Sequence, residues 1–388
     1  MDFTQVAEVF DSFVGVASPG AAIEIRTRGK VLFRRAGGLT GIAEAGRNQF
    51  GEPVFDGPDL DRGTLVGEHT SFDLASLTKP LSTALLVAMA CDDGDLSLDE
   101  TLGSFDFLGV PAARAGVSIR DLLLHRSGLV DWLPFAQKLV PSHGMEVCGS
   151  ETARAECVLM AMNSAPGGRA GRDVVYSDVG YVLLGIILEQ LFGCTLPELF
   201  DERVAGPLGL SVTRFMPAVP VRGSVDQGCR DIAATAYCPL RDRVMCGEVH
   251  DDNAWLLGGA AGHAGLFSNV VETATMVDVW IEAIEGRSEL LSSKTARAFS
   301  FEDFGEPGVR RTPAFDRPAP SGSNAGDLCP AGTVGHLGFT GTSFWFDRDS
   351  GVSIVLLTNR TNPFMTGMQA EIKMMRRAVY DASWKALS

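Results

Sequence analysis

The chain has 388 residues, 45% of them hydrophobic and 21% charged, with a formal net charge of −15. That length gives one large folded unit or two that share an interface, and so acidic a balance argues against nucleic acid or anionic membrane as a partner, because both demand a basic face. Eight cysteines without a Cys-x-x-Cys pair fit neither a zinc ribbon nor a dense disulfide scaffold.

Residues 3–17 are predicted as a helix with Val6, Phe10, Phe13 and Val14 on one face. Ala21 to Ile25 and Val31 to Arg35 read as a hairpin turning at Arg28-Gly29-Lys30. A loop rich in Gly, Pro and Asp follows at 37–69, long enough to border a site. Pro80 is tolerated only around a first helical turn, so a helix is expected to begin close to Ser76 and run through the apolar stretch Leu81 to Cys91. Val117 to Asp121 starts another helix, which ends before Ser127-Gly128. Ser177 or Asp178 caps a helix that runs to Leu191-Phe192 and is closed by Gly193; it is apolar on nearly every face and therefore buried. Residues 301–333, rich in Pro, Gly and Ser, read as a surface excursion. Two strands are expected next, His336 to Phe346 and Val352 to Asn359, joined by a turn at Asp347 to Gly351, and then a closing helix from about Thr366 to Ala386. Strands at both ends with helices between them predict an α/β (α+β) fold: an antiparallel sheet formed from both termini (1–80 and 247–388) with a mainly helical insertion (81–246). The first residues lack the basic and apolar regions of a secretory signal and no apolar run reaches bilayer length, so a cytoplasmic protein with reduced cysteines is expected.

The chemistry starts at Ser76-Leu77-Thr78-Lys79. A serine hydroxyl needs a base beside it to act as a nucleophile, and a spacing of three along a helix sets the Lys79 amine against it. A solvated surface pair is the commoner origin of an isolated Ser-x-x-Lys, but Lys79 is the only lysine of the chain with a serine three residues before it, and it precedes an apolar helix. The helix start also offers backbone N–H groups to a developing oxyanion. Tyr176-Ser177-Asp178, at the mouth of the buried helix, can supply a phenolic proton shuttle, although a tyrosine there is more often packing. His336-Leu337-Gly338-Phe339-Thr340-Gly341 can supply a strand on which substrate lies; its glycines mark a close approach, or else a bulge.

With these three segments in this order, the chain resembles the class C β-lactamase, DD-peptidase and serine esterase superfamily, whose motifs are Ser-x-x-Lys, Tyr-x-Asn and Lys/His-Thr-Gly. The resemblance implies the β-lactamase/transpeptidase-like fold, Ser76 as the acylated nucleophile, Lys79 and Tyr176 as the acid/base pair, and an oxyanion hole from the backbone N–H groups of Ser76 and Phe339. It also implies substrate contacts from Asp178, His336 and Gly338, a small ester or amide as substrate, and no cofactor or metal. Two departures bear on specificity. Asp178 stands where the family has asparagine, whose amide helps hold the acyl-amide group of a β-lactam, and an ionised carboxylate accepts hydrogen bonds but cannot donate them. His336-Leu337 replaces Lys-Thr, which weakens a pocket for a substrate carboxylate. An esterase is therefore expected, with a β-lactamase or DD-peptidase, or a binding module that has lost turnover, as alternatives. Lys79 is expected to be largely neutral, through burial and tyrosine contacts, with Asp178 opposing that if it lies close. A metal hydrolase built from His250-Asp251-Asp252, His263 and His125 is a weaker rival, since no His-Glu-x-x-His spacing occurs. Oligomeric state and natural substrate stay open.

Overall fold

The structure is a computed structural model that describes the chain apart from residues 50, 52, 59–64, 219–230, 303, 305–309 and 366–367. Its central sheet is built from β1 (Gly20–Thr27), β2 (Lys30–Gly38), β3 (Thr333–Leu337), β4 (Ser343–Asp347) and β5 (Val352–Thr358). The strand order is β3-β4-β5-β1-β2 and each neighbouring pair is antiparallel. β1 meets β5 with Ile23 opposite Leu356 and Ile25 opposite Ile354, so one sheet is assembled from both ends of the chain.

The helices that matter for the site are α1 (Thr4–Phe13), α2 (Ala84–Asp93), α3 (Asp178–Phe192), α4 (Val270–Ile284) and α5 (Gln369–Leu387). Alternation along the strands divides their side chains between two cores. Ile23, Ile25, Trp345, Ile354 and Leu356 pack with Val6 and Phe10 of α1 and with Met375, Val379 and Tyr380 of α5. Phe344, Phe346, Val355 and Leu357 join the larger core with Leu85 of α2, Leu183 of α3 and Trp280 of α4. As its composition predicts, α3 is buried from Val179 through Leu188, with Ser177 Oγ accepting the Gly180 N–H at its start (3.1 Å). No single helix among the described residues is long and apolar enough to cross a membrane.

Several predicted elements differ. The first helix ends early, because Gly15 takes a φ of +81° and Val14 bridges to Ser18. The predicted 37–69 loop contains a hairpin, Ile42–Arg47 against Pro53–Pro58. The stretch 301–333 is not only a surface excursion: the Phe315 ring is buried 5.1 Å from those of Trp280 and Phe346. Positions 303 and 305–309 of that stretch, and the predicted helix start at Thr366, lie outside the described residues.

The most consequential difference is at His336 to Phe346, which is two strands rather than one. β3 and β4 pair with Leu337 opposite Ser343, and the residues between them form a tight turn. Gly338 has no room for a side chain there, since a Cβ would lie 2.0 Å from Thr342 Oγ1 and 2.8 Å from the Leu74 carbonyl. Thr340 Oγ1 donates to the Asp73 carbonyl (2.8 Å) and Thr342 Oγ1 to that of Leu74 (3.0 Å). The turn is thereby tied to the backbone just ahead of Ser76.

Candidate active site

Ser76 sits on a sharp bend. The two-residue strand Phe72–Asp73 pairs with Leu266–Ser268, and the chain then enters a 3₁₀ turn at Ala75–Leu77, a π turn at Lys79–Thr83 and α2. Ala75 takes a φ of +47°, which L-residues seldom adopt, and its N–H is held by Asp73 Oδ1 at 2.8 Å. The other Asp73 oxygen accepts the His250 N–H at 2.6 Å. Burial pushes this carboxyl up to about 6, against the two N–H donors.

Lys79 is fully buried beneath the serine. Its Nζ donates to Ser76 Oγ at 2.9 Å and to the His263 carbonyl at 3.2 Å, and lies 2.7 Å from Asp178 Oδ1. The rings of Tyr176 and Tyr181 stand 4.9 and 5.6 Å from it, measured to their centroids. Ser76 and Lys79 both act on the Tyr176 phenol, which stands beside them. The three residues predicted for the chemistry therefore stand together, although more than ninety residues separate Tyr176 from the other two.

The expectation of a neutral Lys79 is overturned. Burial disfavours the ammonium, but the Asp178 carboxylate and then Tyr176 outweigh it, and Lys79 is held above the ordinary lysine range. The physical reason is placement: Asp178 is the first residue of α3, and that puts its carboxylate against Nζ. Desolvation likewise raises the Tyr176 phenol, with Lys79 partly offsetting it. At rest Lys79 and Tyr176 both keep their protons around the hydroxyl, with Asp178 against the Lys79 Nζ.

His125 stands behind Tyr176. Its ring lies 4.4 Å from the phenol ring and its Nδ1 accepts the Ser177 N–H at 2.9 Å. Desolvation, joined by Arg311 and Lys79, holds this imidazole well below its usual range, so it is neutral. In the sequence His125 is a weak metal-ligand candidate and no role beside Tyr176 is read for it; packing against a residue 51 positions later leaves no local signature.

The cavity in front of Ser76 has a volume of about 870 Å³ and is lined by Tyr176, Asp178, His336 and Gly338 among others, with Trp132 and Phe339 part-exposed at its mouth. Among the described residues, the N–H groups of Ser76 and Phe339 are donated to no protein acceptor. The Phe339 ring stacks on His250 at 5.6 Å, and the Arg360 guanidinium lies 4.9 Å from its centroid. His336 is buried and burial pushes it down to about 4, so it offers no cation at neutral pH. A residue missed in the sequence is Arg311, 4.9 Å from the Tyr176 ring centroid and paired with Asp316 at 2.5 Å; it falls in the 301–333 stretch, which carries no readable pattern.

The rival metal set is spent on structure. Asp251 Oδ1 contacts His263 Nε2 at 2.9 Å and caps a short helix through the Ala254 N–H, while Asp252 pairs with Arg241 at 2.9 Å. Among the described residues no group of three or more His, Cys, Asp or Glu is gathered to hold a metal ion.

Known proteins agree with this architecture. The family model described as Beta-lactamase matches residues 6–374. The chain is 28% identical over 377 residues to a protein of Escherichia coli (strain K12) named "Putative D-alanyl-D-alanine carboxypeptidase", covering 89% of this chain and 80% of that one. It is 26% identical over 380 residues to the N-acetylmuramyl-L-alanine amidase of Bacillus subtilis (strain 168), covering 92% and 80%. Among solved structures it is similar to EstCE1, a hydrolase with promiscuous acyltransferase activity, with a TM-score of 0.68 at 19% identity over 97% of this chain and 98% of that one. With a match that spans nearly every element described above, from α1 into α5, the chain belongs to the β-lactamase family of serine hydrolases.

Proposed function

We propose that this protein is an esterase that hydrolyses small esters, and more slowly small amides, through an acyl-enzyme on Ser76. The observation that carries the reading is the 2.9 Å contact between Lys79 Nζ and Ser76 Oγ at the floor of an open cavity. Once the Tyr176–Lys79 unit has lost one proton, Ser76 Oγ attacks the carbonyl carbon, its proton passes to that unit, and the same unit protonates the leaving oxygen. Because Lys79 is held as a cation beside Asp178 and Tyr176 as an un-ionised phenol, the unit accepts the serine proton only after it has lost one proton of its own, so the attack proceeds from that form. The N–H groups of Ser76 and Phe339 receive the oxyanion, and a water activated by the same unit releases the acid.

Selectivity follows from the wall around this centre. Asp178 contributes a carboxylate where a donor amide would hold a β-lactam's acyl-amide, and neutral His336 supplies no charge for a carboxylate. Losing one charge-assisted hydrogen bond removes about 1.5–3 kcal/mol, so with both lost a cephalosporin is expected to fall by about two to four powers of ten relative to an activated ester. The second reading, cleavage of a D-alanyl peptide or β-lactam, is favoured by Arg311, whose guanidinium lines the cavity over Tyr176 and offers a cation from a different segment. The test compares kcat/KM for a p-nitrophenyl short-chain ester, a D-alanyl amide and a chromogenic cephalosporin on one preparation. Cephalosporin or D-alanyl amide turnover equal to that of the ester overturns the esterase reading.

A further inference from the structure

Arg376 of α5 enters no motif, yet its guanidinium reaches the turn between β3 and β4. It is buried, 7% exposed, and lines the cavity wall. Nη2 donates to the carbonyls of Gly338 (3.0 Å) and Thr342 (2.8 Å), and Nε donates to that of Gly341 (3.2 Å). Burial pushes the group down to about 10, which leaves it charged at neutral pH. A buried cation spent on three neutral carbonyls is a costly way to hold a turn, since apolar packing or a neutral donor would hold it without desolvating a charge.

The geometry of the first carbonyl gives the cation a use. The Gly338 C=O and the Phe339 N–H are opposite ends of one planar peptide unit. A positive charge on the oxygen end draws electron density away from the nitrogen end, so the N–H becomes a stronger donor, and the plane is fixed in direction. The other N–H facing the cavity, that of Ser76, belongs to the Ala75–Ser76 peptide, whose carbonyl accepts a backbone N–H from Thr78 and no cation. We infer that Arg376 is a positioning residue that polarises the Gly338–Phe339 peptide and thereby sets the strength of the oxyanion donor at Phe339. This rests on the reading above, in which Ser76 is acylated and Phe339 N–H faces the acyl oxygen.

The experiment uses the whole protein with Arg376→Gln and Arg376→Lys, each checked for its fold by circular dichroism. Two quantities are read: kcat and KM for a p-nitrophenyl ester, and the carbonyl stretch of a slowly hydrolysed acyl group on Ser76 by isotope-edited infrared spectroscopy. Removing a whole oxyanion donor costs about 10²–10³ in kcat; weakening one is expected to cost roughly 10–100-fold in Arg376→Gln with KM little changed. The acyl carbonyl band should move to higher frequency, and Arg376→Lys should restore part of both. A folded Arg376→Gln with wild-type kcat and band position overturns the inference, as does a fall in kcat with the band unmoved, which would mark Arg376 as a clip for the turn and nothing more. If neither variant folds, the wild-type band decides: it is expected below that of the same acyl-serine in unfolded protein, and an equal frequency overturns the inference. Absence of any acyl group on wild-type Ser76 overturns the underlying reading as well, and is recognised before any variant is made.

Discussion

Two clusters of the same residue types flank one cavity, and they spend their hydrogen bonds differently. On one side Asp251, His263, Asp252 and Arg241 are engaged with each other and with backbone: His263 on Asp251, Asp251 on a helix N-terminus, Asp252 on Arg241. On the other side Ser76, Lys79, Tyr176 and Asp178 also touch one another, but the serine hydroxyl stands at the cavity and two N–H groups beside it have no protein acceptor among the described residues. Residue type does not separate the cluster proposed for catalysis from the structural one. What separates them is what is left at the cavity: a hydroxyl and two backbone N–H groups on one side, and on the other a His263 Nδ1 that has no partner among the described residues but is buried.

The strongest way to break that contrast is to remove the nucleophile. Ser76→Ala is expected to lower kcat/KM by about 10⁵–10⁶ while leaving the melting temperature close to wild type, and a fluorophosphonate probe should label Ser76 and no other serine in peptide maps. Label elsewhere with Ser76 unmodified would sink the assignment. Lys79→Arg should cost about 10³-fold or more, because a guanidinium cannot share a proton with the phenol at accessible pH; a folded Arg variant at near-normal rate would remove Lys79 from the chemistry.

A smaller change sharpens the comparison from the inside. Asp178 raises the proton affinity of Lys79, so the catalytically competent, deprotonated unit should appear only toward alkaline pH. With the carboxylate removed in Asp178→Asn, the ascending limb of kcat/KM against pH should move to lower pH by about 1 unit or more, the usual effect of one opposite charge within contact distance. The sign matters: a limb that moves up, or stays, means that Asp178 does not govern the unit. The same variant gains an amide donor, so its cephalosporin-to-ester ratio should rise.

The centre of this site was legible in the sequence because its parts are local. Ser76 and Lys79 are one helical turn apart, Pro80 marks the helix start, and Tyr176 precedes an unmistakably buried helix. The sheet from both termini was legible for a similar reason, since apolar alternation and turns announce β1, β2 and β5. What could not be read is set by contacts across the fold. The turn at 338–342 looks like strand in one dimension and becomes a turn because Thr340 and Thr342 find carbonyls of residues 73 and 74. The charge on Lys79 depends on the start of a helix far along the chain, and the contacts that bring His125, Arg311 and Arg376 to the site are all between distant segments.

The smallest expected effect tests the structural side of the comparison. Desolvation would raise the Asp251 carboxyl, but His263 and the Ala254 N–H outweigh it and hold it well below the ordinary carboxylate range. A group whose folded proton affinity is depressed adds stability at pH above its unfolded value, about 3.9, and that contribution is lost as pH falls through the folded value. Asp251→Asn keeps a side chain that can cap the helix and loses the charge opposite His263. Its stability at neutral pH should fall by about 1–2 kcal/mol, or a few degrees in Tm for a chain of this size, and the gap to wild type should close as pH is lowered below about 4. Ester turnover, measured well below Tm, should stay within a few-fold of wild type, with no response to added zinc or to a chelator. A loss of turnover as large as that of Lys79→Arg, with the fold intact, would place Asp251 and His263 among the reacting groups and erase the division between the two sides of the cavity.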